Sequence, residues 1–399
     1  MSQIYKNSEG FSYKYPENHP IVSLIYLLML IVVSSLVFTL LAFLIGFALY
    51  GPGLLGNLSG LMTGDTATGL NFLKLFQTLS SIGTFVVPAL LLKYIERNRT
   101  HYLNFSTPDP KRLMIIAIVI MLVSSPFLEL TSLINKQMQL PGFLKDMEIW
   151  MKTKELEMEQ LTEKLIFTTT LSGLLFNILM IAVIPAIGEE LIFRGCLQPI
   201  FHRWTNNIHA AIWISAILFS AIHIQFYGFI PRMLMGAVFG YMLYWGKSIW
   251  LPIIAHFINN ATAVIYTFVL LKQGKSFEEI NNEGIPHWSL YIVSAFFLAF
   301  FIYRFRKLSK EQNTETDTIQ NPSLMEKDWK KIYVTTDFFR IELIRQALDE
   351  NNIAAVIMNK QDSSYRFGQI ELYTHGDDEA AALAIIAEMS ESPEEPSEN

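Results

Sequence analysis

Long uncharged stretches separated by short polar joints dominate the first three quarters of the chain. Residues 21–50 carry no charge at all, and further apolar runs follow at 75–92, 165–187, 208–226 and 249–271. Each reaches the roughly 18 residues that a helix needs to cross hydrocarbon. Three more runs are less clean: 113–135 is interrupted by Glu129, 233–246 is short and contains glycine, and 288–303 is short. The pattern predicts an all-α polytopic membrane bundle of about eight transmembrane helices over 21–307, with 165–271 as its core and 1–20 as a polar leading segment. The first run is too long for a signal-peptide core and no small-residue cleavage site follows it, so it is expected to be a retained span. Ahead of the fourth span, MKTKELEMEQLTEKL (151–165) places Met151, Leu156, Met158, Leu161 and Leu165 among charges. That spacing fits a rim helix at the interface or a solvated connector equally well.

After Lys310 the pattern changes. EQNTETDTIQNPS reads as a linker within 308–327. Strand-like KIYVTT (331–336) precedes Asp337, a good N-cap for FFRIELIRQALDENN. AAVIMN (354–359) and QIELYT (369–374) read as strands and DDEAAALAIIAEM (377–389) as a helix. This predicts a small α+β domain, βαββα, at 328–390, with Phe338, Ile341, Ile344 and Leu348 on one buried helix face. An acidic tail at 391–399 ends the chain.

Composition agrees with a membrane protein: 51% of residues are hydrophobic and the mean hydropathy is +0.32. The net charge of −6 comes largely from the tail. No basic, aromatic-interleaved patch points to nucleic acid. A single cysteine, Cys196, excludes an intrachain disulfide framework and a cysteine-based zinc site. Lys93, Arg97, Arg99, Lys111 and Arg112 flank the second connection, and Arg304, Arg306 and Lys307 follow the last span. Residues 51–71 have no Lys or Arg. Both termini are therefore expected on the cytoplasmic side of the membrane, although five lysines at 136–164 oppose that orientation.

From Leu165 to Leu271 only two residues are acidic, and they adjoin: Glu189 and Glu190. Carboxylates at bilayer depth are costly, about 2.5–3.5 kcal/mol on insertion scales, and call for partners or a task. Glu190 and Arg194 are four apart and share a helix face, whereas Glu189 points about 100° away. Phe219-x-x-x-His223 lies near the end of the fifth span, and His256-x-x-x-Asn260 puts an imidazole and an amide on one face of the seventh. Brought together, these groups suit water activation and oxyanion stabilisation. Glu189, His223 and His256 are equally a zinc ligand set with an open position.

Singly, each fits a packed or ion-paired residue. Phe219 reads as core. His202, Arg203 and His209 read as interfacial anchors, Arg232 and Lys247 as span-end charges, and Trp204, Trp213, Trp245 and Trp250 as belt or packing residues. Counting along the helices puts His223 deeper than Glu189, so the fourth span must run past Ile187 or the fifth must start late. There is no His-Glu-x-x-His, no Gly-x-Ser-x-Gly, and no Asp between 165 and 271. Ser59 reads as a turn residue.

EELIFRG, FSAIH and HFINN, in this order on separate predicted helices, resemble the CPBP family of intramembrane proteases, which includes the CAAX prenyl endopeptidases and the bacterial Abi proteins. The likeness covers about 70–305 and is strongest over 185–262. The resemblance implies an eight-helix bundle with a hydrophilic cavity open to the cytosol. It implies Glu189 as the water-activating group with His223 assisting, His256 and Asn260 at the scissile carbonyl and oxyanion, and Glu190 with Arg194 in support. The C-terminal domain resembles a small bacterial signal-transducing domain, half of a ferredoxin-like sandwich, with an unidentified partner or ligand. Its His375 and Asp362 read as loop residues. The expectation is a membrane-embedded endopeptidase, zinc-assisted or metal-free, acting on membrane-associated peptides or proteins near the cytoplasmic face. A non-catalytic scaffold or immunity protein, or a proton-coupled transporter, would use the same buried polar groups.

Overall fold

The structure is a computed structural model that describes residues 18–51, 61, 64–96, 102–105, 110–282, 288–320, 329–359 and 369–391. Ser59, Asp362, the side chain of Phe338 and the tail beyond Glu391 lie outside the described residues. Two compact units make up the chain, one of residues 12–309 and one that includes residues 310–399.

The first unit is helical throughout. In chain order its elements are α1 (Pro20–Tyr50), α2 (Ala67–Ile95), α3 (Pro110–Gln137), α4 (Lys145–Ile166), α5 (Leu171–Thr205), α6 (Ile208–Ala221), α7 (Phe229–Gly246), α8 (Trp250–Lys272), α9 (Phe277–Asn282) and α10 (Trp288–Gln320). Seven of them are long and apolar enough to span a bilayer, and α6, of 14 residues, is a shorter apolar helix. The chain is an integral membrane protein. Short connections between successive long helices make neighbours run antiparallel. The bundle thus has one end where Pro20 begins α1 and another where α3 hands over to α4 and α6 to α7.

Prolines interrupt these helices, and each interruption is met from a neighbour. Proline has no N–H to give to the carbonyl four residues back and wedges it aside. In hydrocarbon such a carbonyl must find another donor. Wide π turns at Ile82–Val86, Ile178–Val183 and Phe193–Leu197 precede or overlap Pro88, Pro185 and Pro199. Ser34 Oγ donates to Gly83 O at 2.5 Å, Asn260 Nδ2 to Ile181 O at 3.1 Å, and the Leu103 N–H to Gly195 O at 3.3 Å. In α3, around Pro126, Ser294 Oγ accepts from the Phe127 N–H at 3.1 Å and donates to Val123 O at 2.5 Å. These bonds let α5 continue as one 35-residue element.

That continuity removes the mismatch in depth. The fourth span does not stop at 187 but runs on to Thr205. The fifth starts at Ile208, capped by Asn207 Oδ1 on the His209 and Ala210 N–H groups, and stops at Ala221. Its length is about 21 Å at 1.5 Å per residue, less than the roughly 30 Å hydrocarbon core. His223 follows directly on a bent connection. α7 packs closely on α6 because Gly236 and Gly240 lack side chains. A Cβ on Gly240 would stand 2.8 Å from Ile212 Cγ2. This is the small-x-x-x-small spacing of close membrane helices. In α4, Leu161 and Leu165 pack with Leu73 and Met180, whereas Leu156 is exposed.

α10 does not end at 303: it continues through Gln320, across much of the expected linker. The C-terminal unit holds β1 (Trp329–Thr335), α11 (Phe338–Glu350), β2 (Ala355–Asn359), β3 (Ile370–His375) and α12 (Glu379–Glu391). The antiparallel sheet has order β1-β3-β2. Ile341, Ile344, Leu348, Ile370, Leu372, Ala382 and Ile386 form its core. His375 closes β3 rather than sitting in a loop. Tyr373 donates to the buried Glu371 at 2.7 Å, and burial with that bond raises its hydroxyl to about 12. Leu348 is fully buried, so Leu348→Ala is expected to cost this domain about 2–5 kcal/mol. Earlier proteolysis between 329 and 391 in the full-length protein would report the loss.

Candidate active site

Five polar residues from α5, the end of α6 and α8 meet at one place, Glu189, Glu190, Arg194, His223 and His256. Glu190 is fully buried, and its Oε1 receives two donors, Arg194 Nη1 at 2.8 Å and His256 Nδ1 at 2.9 Å. Arg194 is also fully buried and uses Nη2 on the carbonyl of Gly236 in α7, at 2.8 Å. Its guanidinium lies 4.5 Å from the Phe219 ring and 5.3 Å from that of Phe239. Cation–π contacts of this kind help to offset the desolvation of a buried cation. Gly236 gives room here, since a Cβ would meet Arg194 Nη2 and Phe219 at 3.1 Å.

Glu189 faces the other way along the same helix. Its Oε2 lies 4.0 Å from His223 Nε2 and 3.9 Å from His256 Nε2, with no hydrogen-bond partner of its own. The two imidazoles are oriented from behind. His223 Nδ1 is 2.8 Å from the Phe219 carbonyl, which only accepts, so Nδ1 carries the hydrogen. His256 Nδ1 donates to Glu190 in the same way. In its neutral form each ring therefore presents a bare Nε2 toward Glu189. Phe239 stacks on His256 with centroids 5.3 Å apart, and Phe219 meets both imidazoles edge-on.

Asn260 stands one turn beyond His256. One hydrogen of its amide goes to Ile181 O, and its Oδ1 accepts from Asn259 Nδ2 at 3.0 Å. Its second N–H is left for another acceptor.

The separations suit a bridging water. Two hydrogen bonds of about 2.8–3.0 Å to one oxygen span such gaps. Zinc, with bonds of about 2.0–2.2 Å, draws tetrahedral ligand atoms to roughly 3.4 Å from each other. Among the described residues no group of three or more His, Cys, Asp or Glu side chains is placed to hold a metal ion. The donors of Glu189, His223 and His256 have the right chemistry for zinc, but their spacing does not fit the ion.

Other residues differ from their sequence reading. Arg232 stands in the first turn of α7, at a span end as expected, but has partners besides water. It donates to the side chain and carbonyl of Gln225 and lies within Coulombic reach of Glu189 and Glu155. Arg203 is no simple anchor, because it ties α5 to Asn18 O, Ser23 Oγ and the Tyr102 hydroxyl. Phe219 is core, as expected, but also the aromatic wall shared by Arg194 and both imidazoles. Gly236 and Arg232 were not singled out for the site by sequence. The Gly-x-x-x-Gly spacing at 236 and 240 was the available signal for the first.

Residues 171–262 match the family described as type II CAAX prenyl endopeptidase Rce1-like. That segment is similar to this family. It contains the five polar residues above and Asn260. Residues 329–390 match a second family, described as a putative prokaryotic signal transducing protein. Among curated proteins, the chain is 26% identical over 112 residues to the uncharacterized protein YpbD of Bacillus subtilis, covering 27% of this chain and 54% of that one. It is 31% identical over 88 residues to the putative membrane peptidase YdiL of the same organism, covering 22% of this chain and 36% of that one. The chain thus spans about half the length of the first relative and about a third of the second. No solved structure gives a significant match.

Proposed function

We propose that this protein is an intramembrane endopeptidase that hydrolyses peptide bonds of membrane-associated peptides or proteins through a water activated by Glu189. The observation that carries this reading is the unpartnered Glu189 Oε2 facing two imidazole nitrogens at 3.9 and 4.0 Å. Such a carboxylate has no structural bond to make and is positioned to take a proton. In the proposed cycle a water donates to Glu189 Oε2 and His223 Nε2, beside His256 Nε2. Glu189 accepts its proton while the oxygen bonds to the carbonyl carbon. The remaining N–H of Asn260, and His256 Nε2 when it carries a proton, donate to the oxyanion. Collapse of the tetrahedral adduct breaks the C–N bond, and Glu189 returns the proton to the leaving amine. Glu190 and Arg194 position His256 and do not touch the substrate. The Rce1-like segment and the peptidase relative support the reaction class.

The test is peptide hydrolysis by the full-length protein in detergent. Because the Glu189/His223/His256 spacing favours water over zinc, cleavage is expected to persist after dialysis against a strong chelator. Loss of cleavage restored by zinc would replace the metal-free scheme with a metal-dependent one. A protein that cleaves nothing, and whose Glu189→Gln variant keeps the cellular phenotype, would support a scaffold instead.

A further inference from the structure

At the end of the bundle where α3 hands over to α4 lies a cavity of about 500 Å³. Its volume is within the range of about 300–1,000 Å³ typical of ligand sites. Glu155, Glu159 and Glu163, one turn apart on α4, form one wall, and Gln225 and Thr267 close others. Gln225 is two residues beyond His223 and is held by Arg232, which is within Coulombic reach of both Glu155 on the wall and Glu189 in the site. Exposure falls through the site from His223, two residues before Gln225: its side chain is 28% exposed, that of Glu189 is 11% and that of Arg194 is 1%. Past Arg194, toward the end where Pro20 starts α1, Gln198, Ile200, Ile212 and Ile249 are buried. Packed side chains therefore seal that end against entry.

We propose that this cavity is the vestibule through which an extended peptide segment reaches Glu189, and that it opens at the bundle end opposite the start of α1 and the part of α10 that carries Arg304. The proposal rests on the peptidase reading. It also means that two sequence expectations, cytoplasmic ends for α1 and α10 and cleavage near the cytoplasmic face, exclude one another.

The test uses the full-length protein with Cys196→Ala, which leaves no thiol. Thr162→Cys and Thr267→Cys place thiols on the vestibule wall, and Arg304→Cys places one near the opposite end. Labelling with a bulky maleimide is expected to lower peptide cleavage at least ten-fold at 162 and 267 and to leave it unchanged at 304. In intact cells a membrane-impermeant maleimide is expected to reach 162 and 267 from the face that excludes 304. Complete labelling at 162 and 267 with full activity would overturn the proposal, as would labelling of all three positions from one face. If the unlabelled protein cleaves nothing, the peptidase reading fails, and the sidedness of labelling still decides where the cavity opens.

Discussion

Glu189→Gln is expected to reduce peptide hydrolysis by about 10²–10⁴-fold, the range for losing a general base, and to leave the thermal midpoint in detergent unchanged or higher. The reasoning is local. Gln fills the same space, and Glu189 Oε2 makes no hydrogen bond that the amide would lose. What disappears is the proton acceptor, and with it an unpaired buried carboxylate that opposes folding. His223→Ala is expected to cost about 10²-fold with little loss of stability, because the side chain is partly exposed and lies beyond the end of α6. Since both residues act on one water, the double variant should be little worse than Glu189→Gln alone. Turnover measured on one quenched-fluorescence peptide separates these cases. Near-wild-type turnover in Glu189→Gln would remove the proposed base and the mechanism with it.

The parts of the structure that could be read in the sequence are those where one physical rule acts alone. Apolar runs longer than a bilayer marked the spans, and Asp337 before an amphipathic stretch marked the start of α11, where its Oδ1 does cap Phe339 and Arg340. The Glu190–Arg194 pair followed from helical spacing. Where two elements share a task, the sequence was ambiguous. Apolar periodicity ended the fourth span near 187, but α5 persists to Thr205 because Leu103 and Asn260 supply the donors that Pro199 and Pro185 withhold. Those donors lie on other segments, and no local pattern announces them. In the sequence Arg232 reads only as a span-end charge, because its partner Gln225 and its neighbours Glu189 and Glu155 come from three separate elements. The polar stretch after Lys310 reads as a linker by composition, yet it extends α10 because helix, once nucleated, propagates at little cost through Lys, Glu and Gln.

Arg194→Ala is expected to be the most damaging single change to the fold of the membrane unit. Removing one partner of a buried ion pair typically costs about 3–5 kcal/mol, because the other charge is left without compensation. Here Glu190 would keep only His256 Nδ1 as a donor, and the Gly236 carbonyl would lose the bond that joins α5 to α7. The loss should appear as reduced yield in the membrane and a thermal midpoint lowered by many degrees. Arg194→Lys should fail as well, since a single ammonium cannot reproduce the two directed N–H groups that reach Glu190 and Gly236. The double variant Glu190→Gln/Arg194→Met removes both charges and should regain much of the stability while activity stays low, because Gln holds His256 less firmly than a carboxylate. That pattern distinguishes positioning from packing. If Arg194→Ala folded as well as the wild type, the bond from Arg194 to the Gly236 carbonyl would not be what holds α5 against α7. The orientation of His256 toward Glu189 would then need another cause.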